Sequence, residues 1–292
     1  MADTSPNGGR AGGYHLGGVD TVISVEEVDR QARQLAQAIP LERIAELANN
    51  DPFVTIEGLK AGYGKMEILH DFNLQVAKGQ SLCLIGPNGA GKSTILHSIY
   101  GFTNIFTGTI SMASPSGKRD ITKLGANQKL KEAGIAYILH DKSIFPNMTV
   151  EENLWMGGFL MDNQAAAKAA AEKVFAKYDR LAARRTHQAK VLSGGERRLL
   201  EISRALVMEP DVLLVDEPSI GLEPRFIDQV FEILDDLQKN EGKTIIMVEQ
   251  NAKRGLEFAD IGYVLVSGEL AMAGPGAELL ENPDVGRLFL GG

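Results

Sequence analysis

The stretch Gly86-Pro87-Asn88-Gly89-Ala90-Gly91-Lys92-Ser93-Thr94 constrains this chain more than any other, because it directly follows the short apolar run Ser81–Ile85. It satisfies the phosphate-loop pattern: glycine, any four residues, then Gly-Lys-Ser. Glycine lets backbone amides converge on phosphate oxygens through dihedrals that other residues avoid. A helix starting near Ser93 would set its positive end at the anion. Lys92 would bridge the terminal phosphates and Ser93 would offer a hydroxyl to Mg²⁺. An ammonium ~3 Å from a phosphate oxygen is worth about 5 kcal/mol at an effective dielectric of ~20, before desolvation. The competing reading is a chance glycine-rich turn, which the preceding strand disfavours.

A second signal is Asp211–Ser219, DVLLVDEPS. Its apolar strand ends in Asp216, where a carboxylate would hold Mg²⁺ through water. Glu217 follows and would orient and deprotonate an attacking water. Ile135–Leu139 and Thr244–Val248 are further apolar runs of the kind covered on both sheet faces, and residues 53–63 and the run around Leu74 read as strands near a domain start. Strand signals stop between about 149 and 190, where the alanine-rich run Gln164–Ala183 predicts helix.

Ahead of this lie a glycine-rich tail over 1–21, expected to be flexible, and a helical extension over 22–52. Within the extension Ser24 and Glu27 have capping-box spacing, Val25, Val28, Ala32, Leu35 and Ile39 share a face, and Leu41, Ile44 and Leu47 follow Pro40. Asn49-Asn50-Asp51-Pro52 marks the boundary. The 292 residues are 44% hydrophobic, enough for a core, and the net charge of −8 argues against a free-standing nucleic-acid binder. A single cysteine, Cys83, excludes an intrachain disulfide and reads as a buried thiol in a reducing compartment. No apolar run approaches ~18 residues and the start lacks a secretory pattern, so a non-spanning, cytosolic chain is expected. Arg184-Arg185 and Arg197-Arg198 read as solvated helix faces.

Leu192-Ser193-Gly194-Gly195-Glu196 opens an amphipathic helix 23 residues before Asp216, counted from Ser193. Between a phosphate loop and a DEP strand, LSGGE resembles the signature of the ATP-binding-cassette (ABC) ATPases, and the resemblance covers about 53–292. It implies an α/β P-loop NTPase fold, with a RecA-like core, an antiparallel β subdomain and an α-helical subdomain near 149–195. It also implies ATP and Mg²⁺ as ligands, and head-to-tail pairing with a second ABC ATPase, in which Ser193, Gly194 and Gly195 close on ATP held by the other copy. Tyr63 occupies the place of the aromatic that stacks on adenine; a tyrosine packed beside a strand end is the alternative. Two positions depart from the commonest family pattern. His140 stands where a glutamine is usual, with a solvated loop residue as the alternative reading, and Gln250 stands where a histidine is usual. Gln250 can contact a γ-phosphate without titrating.

The segments 134–154, 216–224, 248–260 and 279–292 resemble the ATPase subunits of branched-chain amino acid and urea-amide importers. That implies transmembrane permease subunits as partners, a periplasmic solute-binding protein indirectly, and a place on the cytoplasmic face of the inner membrane. The apolar patch Trp155, Met156, Phe159, Leu160 and Met161 would line a groove for a permease helix or form the insertion's own core. Alternatives are a weakly hydrolytic regulatory cassette paired with a more active ATPase, and a lipopolysaccharide-export-type ATPase.

Overall fold

The computed structural model describes residues 39–139 and 143–290. Helix α1 (Leu41–Leu47) begins directly after Pro40 and buries Ile44, and the chain then turns through Asn49 and Asn50, both left-handed at φ 55° and 54°. Asparagine tolerates that region, which is why the Asn-Asn-Asp-Pro cluster can end the helix sharply. The expected helix upstream, over Val25 to Leu35, lies outside the described residues.

In chain order follow β1 (Pro52–Tyr63), β2 (Met66–Ala77), β3 (Ser81–Ile85), α2 (Lys92–Tyr100), β4 (Asn104–Ser114), β5 (Gly117–Asp120), α3 (Ala126–Lys131) and β6 (Ile135–Ile138). Then come α4 (Val150–Gly157), α5 (Gln164–Lys177), α6 (Gly194–Leu206), β7 (Val212–Asp216), α7 (Pro224–Lys239), β8 (Thr244–Val248), α8 (Ala252–Phe258), β9 (Ile261–Val266), β10 (Glu269–Pro275) and α9 (Gly276–Glu281).

The strands form two sheets. One is antiparallel with order β2-β1-β4-β5; the other has order β10-β9-β3-β8-β7-β6 and is parallel except for the β9–β10 pair. Strands β3, β7, β8 and β9 are buried along their whole length, as their unbroken apolar sequences require. Alternation along β3 splits the core: Leu82 and Leu84 face a cluster with Val54, Leu74, Ile95 and Ile99, while Cys83 and Ile85 face one with Ile202, Phe231, Leu234 and Leu256. Cys83 is the buried thiol expected, and burial with Glu249 nearby holds its pKa far above the usual value.

The helical insertion has its own core, with Leu154, Ala171, Val174, Phe175 and Leu181 packed on Leu199 and Leu200 of α6. Its two ends meet through a bridge between Thr149 and Gln188. Thr149 caps α4 in a box with Glu152, an arrangement worth about 1 kcal/mol. The alanine-rich helix runs only to Lys177, where Tyr178 leaves helical geometry before one further turn at Asp179–Ala182. The apolar patch is split between packed and exposed positions. Trp155 and Met161 pack into the insertion core, whereas Met156 and Phe159 are exposed and line a hollow of about 450 Å³.

The expectation of solvated arginines fails at Arg198. This side chain is buried, paired with Glu201 at 2.8 Å, and donates to the Leu139 carbonyl at 2.7 Å, so α6 is tied to the end of β6. Its slot on an otherwise charged helix face hid that role.

Lys129 is also fully buried, and its ammonium donates to the Ser98 and Ile99 carbonyls at the C-terminal end of α2. A cation there satisfies orphan carbonyls and complements the helix dipole. Burial nonetheless lowers its pKa to about 8. A lysine with a depressed folded pKa leaves the unfolded chain with the extra proton between pH 8 and the ordinary lysine value, so stability rises with pH across that window. Urea-unfolding midpoints measured from pH 7.5 to 10 should show this rise relative to Lys129→Met; parallel curves for the two proteins would contradict it.

Candidate active site

Loop 86–91 leaves the C-terminal end of β3 and enters α2 at Lys92. In open α/β sheets such strand ends are where ligands bind. Two glycines are fixed by geometry. A Cβ on Gly86, at φ 145°, would lie 2.2 Å from the Leu265 carbonyl oxygen, and Gly91 caps α2 in the left-handed region at φ 98°. Asn88 and Gly89 are exposed at the tip, Pro87 is half-buried, and Ala90 and Thr94 are buried. The Ser267-Gly268 turn between β9 and β10 supports the loop from behind: the Gly268 amide donates to the Ala90 carbonyl at 2.9 Å. Sequence reasoning passed over this turn, whose only signal is a Ser-Gly pair between two apolar runs.

Charged groups converge at the end of β3. The Lys92 ammonium donates to the carbonyls of Gly86 and Pro87 at 2.8 and 2.9 Å. Burial lowers its pKa, while Glu217 and Asp216 pull it back up. Asp216, buried at the end of β7, is held from two sides. The Ser93 hydroxyl donates to Oδ1 at 3.2 Å and the Tyr137 hydroxyl donates to Oδ2 at 2.8 Å. Burial and the adjacent carboxylate hold the Tyr137 phenol far above its ordinary pKa, so it remains a donor.

Glu217 adopts φ 45°, and its amide donates to the Val248 carbonyl at 2.9 Å. A left-handed glutamate is strained, and its neighbours must hold it there. Next to it lies a residue the sequence reading did not single out. Glu249 is buried and accepts from the Ser219 hydroxyl at 2.7 Å and the Asn251 amide at 2.8 Å on one oxygen, and from the Ser219 amide at 3.3 Å on the other. It thus ties the loop after Glu217 to the loop carrying Gln250, which is exposed. A charge immediately after the apolar β8 was the available signal.

Tyr63 stands exposed at the end of β1, hydrogen-bonded through its hydroxyl to Nδ1 of His97 on α2, with the two rings edge-on at 6.0 Å. Burial lowers the His97 pKa, which favours the neutral ring. Ser193 caps α6: its hydroxyl accepts from the Glu196 amide at 3.3 Å and its amide donates to the Glu196 carboxylate at 2.9 Å. The amide bond from Ser193 holds that carboxylate's pKa below the ordinary value. A Cβ on Gly195 would lie 2.4 Å from the Phe226 ring, so this glycine is required by packing on α7, whereas Gly194 has room. Among the described residues no hydrogen bond joins Ser193, Gly194 or Gly195 to residues 86–94. His140 lies outside the described residues.

For a cation, Ser93 Oγ and the Asp216 carboxylate are hard oxygen donors of the kind Mg²⁺ takes. Among the described residues no cluster of three or more His, Cys, Asp or Glu side chains could hold a metal. An ion at Ser93 and Asp216 would therefore draw its remaining oxygens from water or a bound ligand.

A glycine-rich anion loop after a central parallel strand, with a lysine and two strand-end carboxylates aimed at it, defines a P-loop nucleotide hydrolase. The family model described as "ABC transporter" matches residues 69–220. The chain is 41% identical over 230 residues to the high-affinity branched-chain amino acid transport ATP-binding protein BraG of Pseudomonas aeruginosa, covering 79% of this chain and 96% of that protein. It is 36% identical over 233 residues to the probable branched-chain amino acid transport ATP-binding protein LivF of Archaeoglobus fulgidus, covering 80% and 96%. The solved ADP conformation of MJ1267, an ATP-binding cassette of an ABC transporter, superposes with a TM-score of 0.71 at 27% identity, over 82% of this chain and 99% of that one. This chain belongs to the ABC transporter family, as an ATPase cassette.

Truncating Glu249 to alanine removes the buried acceptor shared by the half-buried Ser219 and the exposed Asn251, at a cost of about 1 kcal/mol because water reaches the freed donors. Chemical denaturation of Glu249→Ala should show that loss, with a fall in ATP turnover as the loops at 217–223 and 250 separate. A variant as stable and as active as the parent would remove this tie from the account.

Proposed function

We propose that residues 86–94 wrap the phosphates of ATP, with Lys92 turned from its resting carbonyl partners onto the terminal phosphates. Mg²⁺ is held by Ser93 and Asp216 together with phosphate oxygens. Glu217 takes the proton of the attacking water, Gln250 faces the γ-phosphate, and the exposed face of Tyr63 meets adenine. One observation carries this reading: Lys92, Ser93, Asp216 and Glu217, from two separated stretches of sequence, meet at the end of β3.

The signature residues take part from a second copy or a sister ATPase. Ser193, exposed at a helix N-terminus and bonded within its own cap, has the backbone amides of a ready anion site. Head-to-tail pairing then builds two composite sites. Closure depends on the γ-phosphate and hydrolysis reopens the pair, converting chemistry into movement. The hollow of about 450 Å³ lined by Trp155, Met156, Phe159 and Met161 is the groove assigned to a helix of a transmembrane permease. Among the described residues no helix is long and apolar enough to cross a membrane. The likeness to importer ATPases supports assigning the subunit to the inner face of the cell membrane, with a periplasmic binding protein delivering solute on the other side. The cargo class proposed is branched-chain or other hydrophobic amino acids and related amides, which the transport named for BraG and LivF supports over lipopolysaccharide export. The presence of Lys92, Ser93, Asp216 and Glu217 supports an active ATPase over a regulatory partner.

Glu217→Gln should cut ATP turnover by about 10²–10⁴-fold while leaving ATP affinity within a few-fold, and ATP-dependent dimers should accumulate. Turnover at the parental rate would remove Glu217 as the base.

A further inference from the structure

The geometry points to Tyr137 as a positioning residue for the metal site: its hydroxyl fixes the Asp216 carboxylate so that the opposite oxygen stays turned to Ser93 and the cation. The inference rests on the reading that Asp216 serves Mg²⁺.

Asp216 has two oxygens with different partners. Oδ1 faces the Ser93 hydroxyl and Oδ2 faces the Tyr137 hydroxyl at 2.8 Å, the shorter of the two contacts. A carboxylate at the end of a strand otherwise swings about its terminal side-chain torsion, which is broad for Asp. A donor on one oxygen removes that freedom. The donor is itself held, because the Tyr137 ring sits among His97, Tyr100 and Phe102 with centroids 5.7, 5.4 and 6.0 Å away. Its backbone is fixed as well, since Tyr137 pairs with Leu214 in the β6–β7 ladder, two residues before Asp216 on β7. The phenol is therefore aimed by rings on three sides and by register on the fourth. Outer partners of this kind, which orient a ligating carboxylate, typically carry tenfold to a hundredfold in metal affinity.

The cluster has a second consequence. His97 touches Tyr137 on one side and bonds Tyr63 on the other, so the proposed adenine-facing residue and the metal carboxylate are joined through one packed set of rings. Loss of the hydroxyl alone leaves that packing in place.

Tyr137→Phe keeps the ring and deletes only the donor. With the full chain and ADP, Mn²⁺ binding followed by electron paramagnetic resonance should weaken by roughly tenfold or more. ADP binding measured in EDTA should stay at the parental value. Tyr100→Phe, which alters the same ring cluster without a contact to Asp216, should leave Mn²⁺ binding unchanged. The proposal is overturned if Tyr137→Phe shifts Mn²⁺ affinity less than twofold, if metal-free ADP binding falls equally, or if Tyr100→Phe has the same effect. Asp216→Asn in the same assay separates the two levels. If it weakens Mn²⁺ binding and Tyr137→Phe does not, the positioning role alone is lost. If neither weakens it, the metal assignment of Asp216 fails and the role of Tyr137 falls with it.

Discussion

A lysine ammonium buried at the end of a parallel strand is tolerable only if oxygen atoms surround it, and much of this fold is arranged to supply them. Lys92 rests on the carbonyls of Gly86 and Pro87 and lies in the field of Asp216 and Glu217. Those carbonyls exist in that direction because Gly86 can approach the Leu265 backbone and Gly91 can turn left-handed into α2. Burying an unpaired charge would cost several kcal/mol, so the loop, both carboxylates and the lysine form one unit. A triphosphate is better compensation than two neutral carbonyls, which is why the resting arrangement is primed to exchange them.

From that unit, ties run outward to the neighbouring loops and to the helical insertion. Glu249 joins the loop after Glu217 to the loop of Gln250. Arg198 joins the signature helix to the Leu139 carbonyl, directly before position 140. Phe226, on the first turn of α7, lies against Gly195. The core, the insertion and the signature are thus linked by short polar and close-packed contacts and by α6, which sends Ile202 and Leu206 into the core cluster and Leu199 and Leu200 into that of the insertion.

The core strands were legible because each is a short unbroken apolar run, and the phosphate loop because its chemistry permits little besides glycine and lysine. The membership in the ABC family was equally legible in LSGGE and DEP, and the α/β fold with its antiparallel sheet followed. What stayed hidden had weak local signals. Strand β4 is largely exposed, with the Thr-Gly-Thr run that reads as loop, and β5 is four exposed polar residues. Arg198, Glu249, Lys129 and Tyr137 carry tertiary duties that depend on partners roughly 30 to 80 positions away in sequence, or on a loop folding back, and no periodicity encodes those. The solvated-face expectation failed at Arg198 for this reason: charge patterning sees the helix, not the strand end beneath it.

The central claim is that each nucleotide is clasped by the phosphate loop of one chain and the signature of another. Mixing two inactive variants, Lys92→Ala and Ser193→Ala, tests it most directly. If the sites are shared, half of the hybrid's sites collect both lesions and the other half none, so ATP turnover should reappear on mixing. If each chain completes its own site, every site in the mixture stays damaged. Turnover that remains at the level of the separate variants, with hybrid dimers shown to form, would contradict the account.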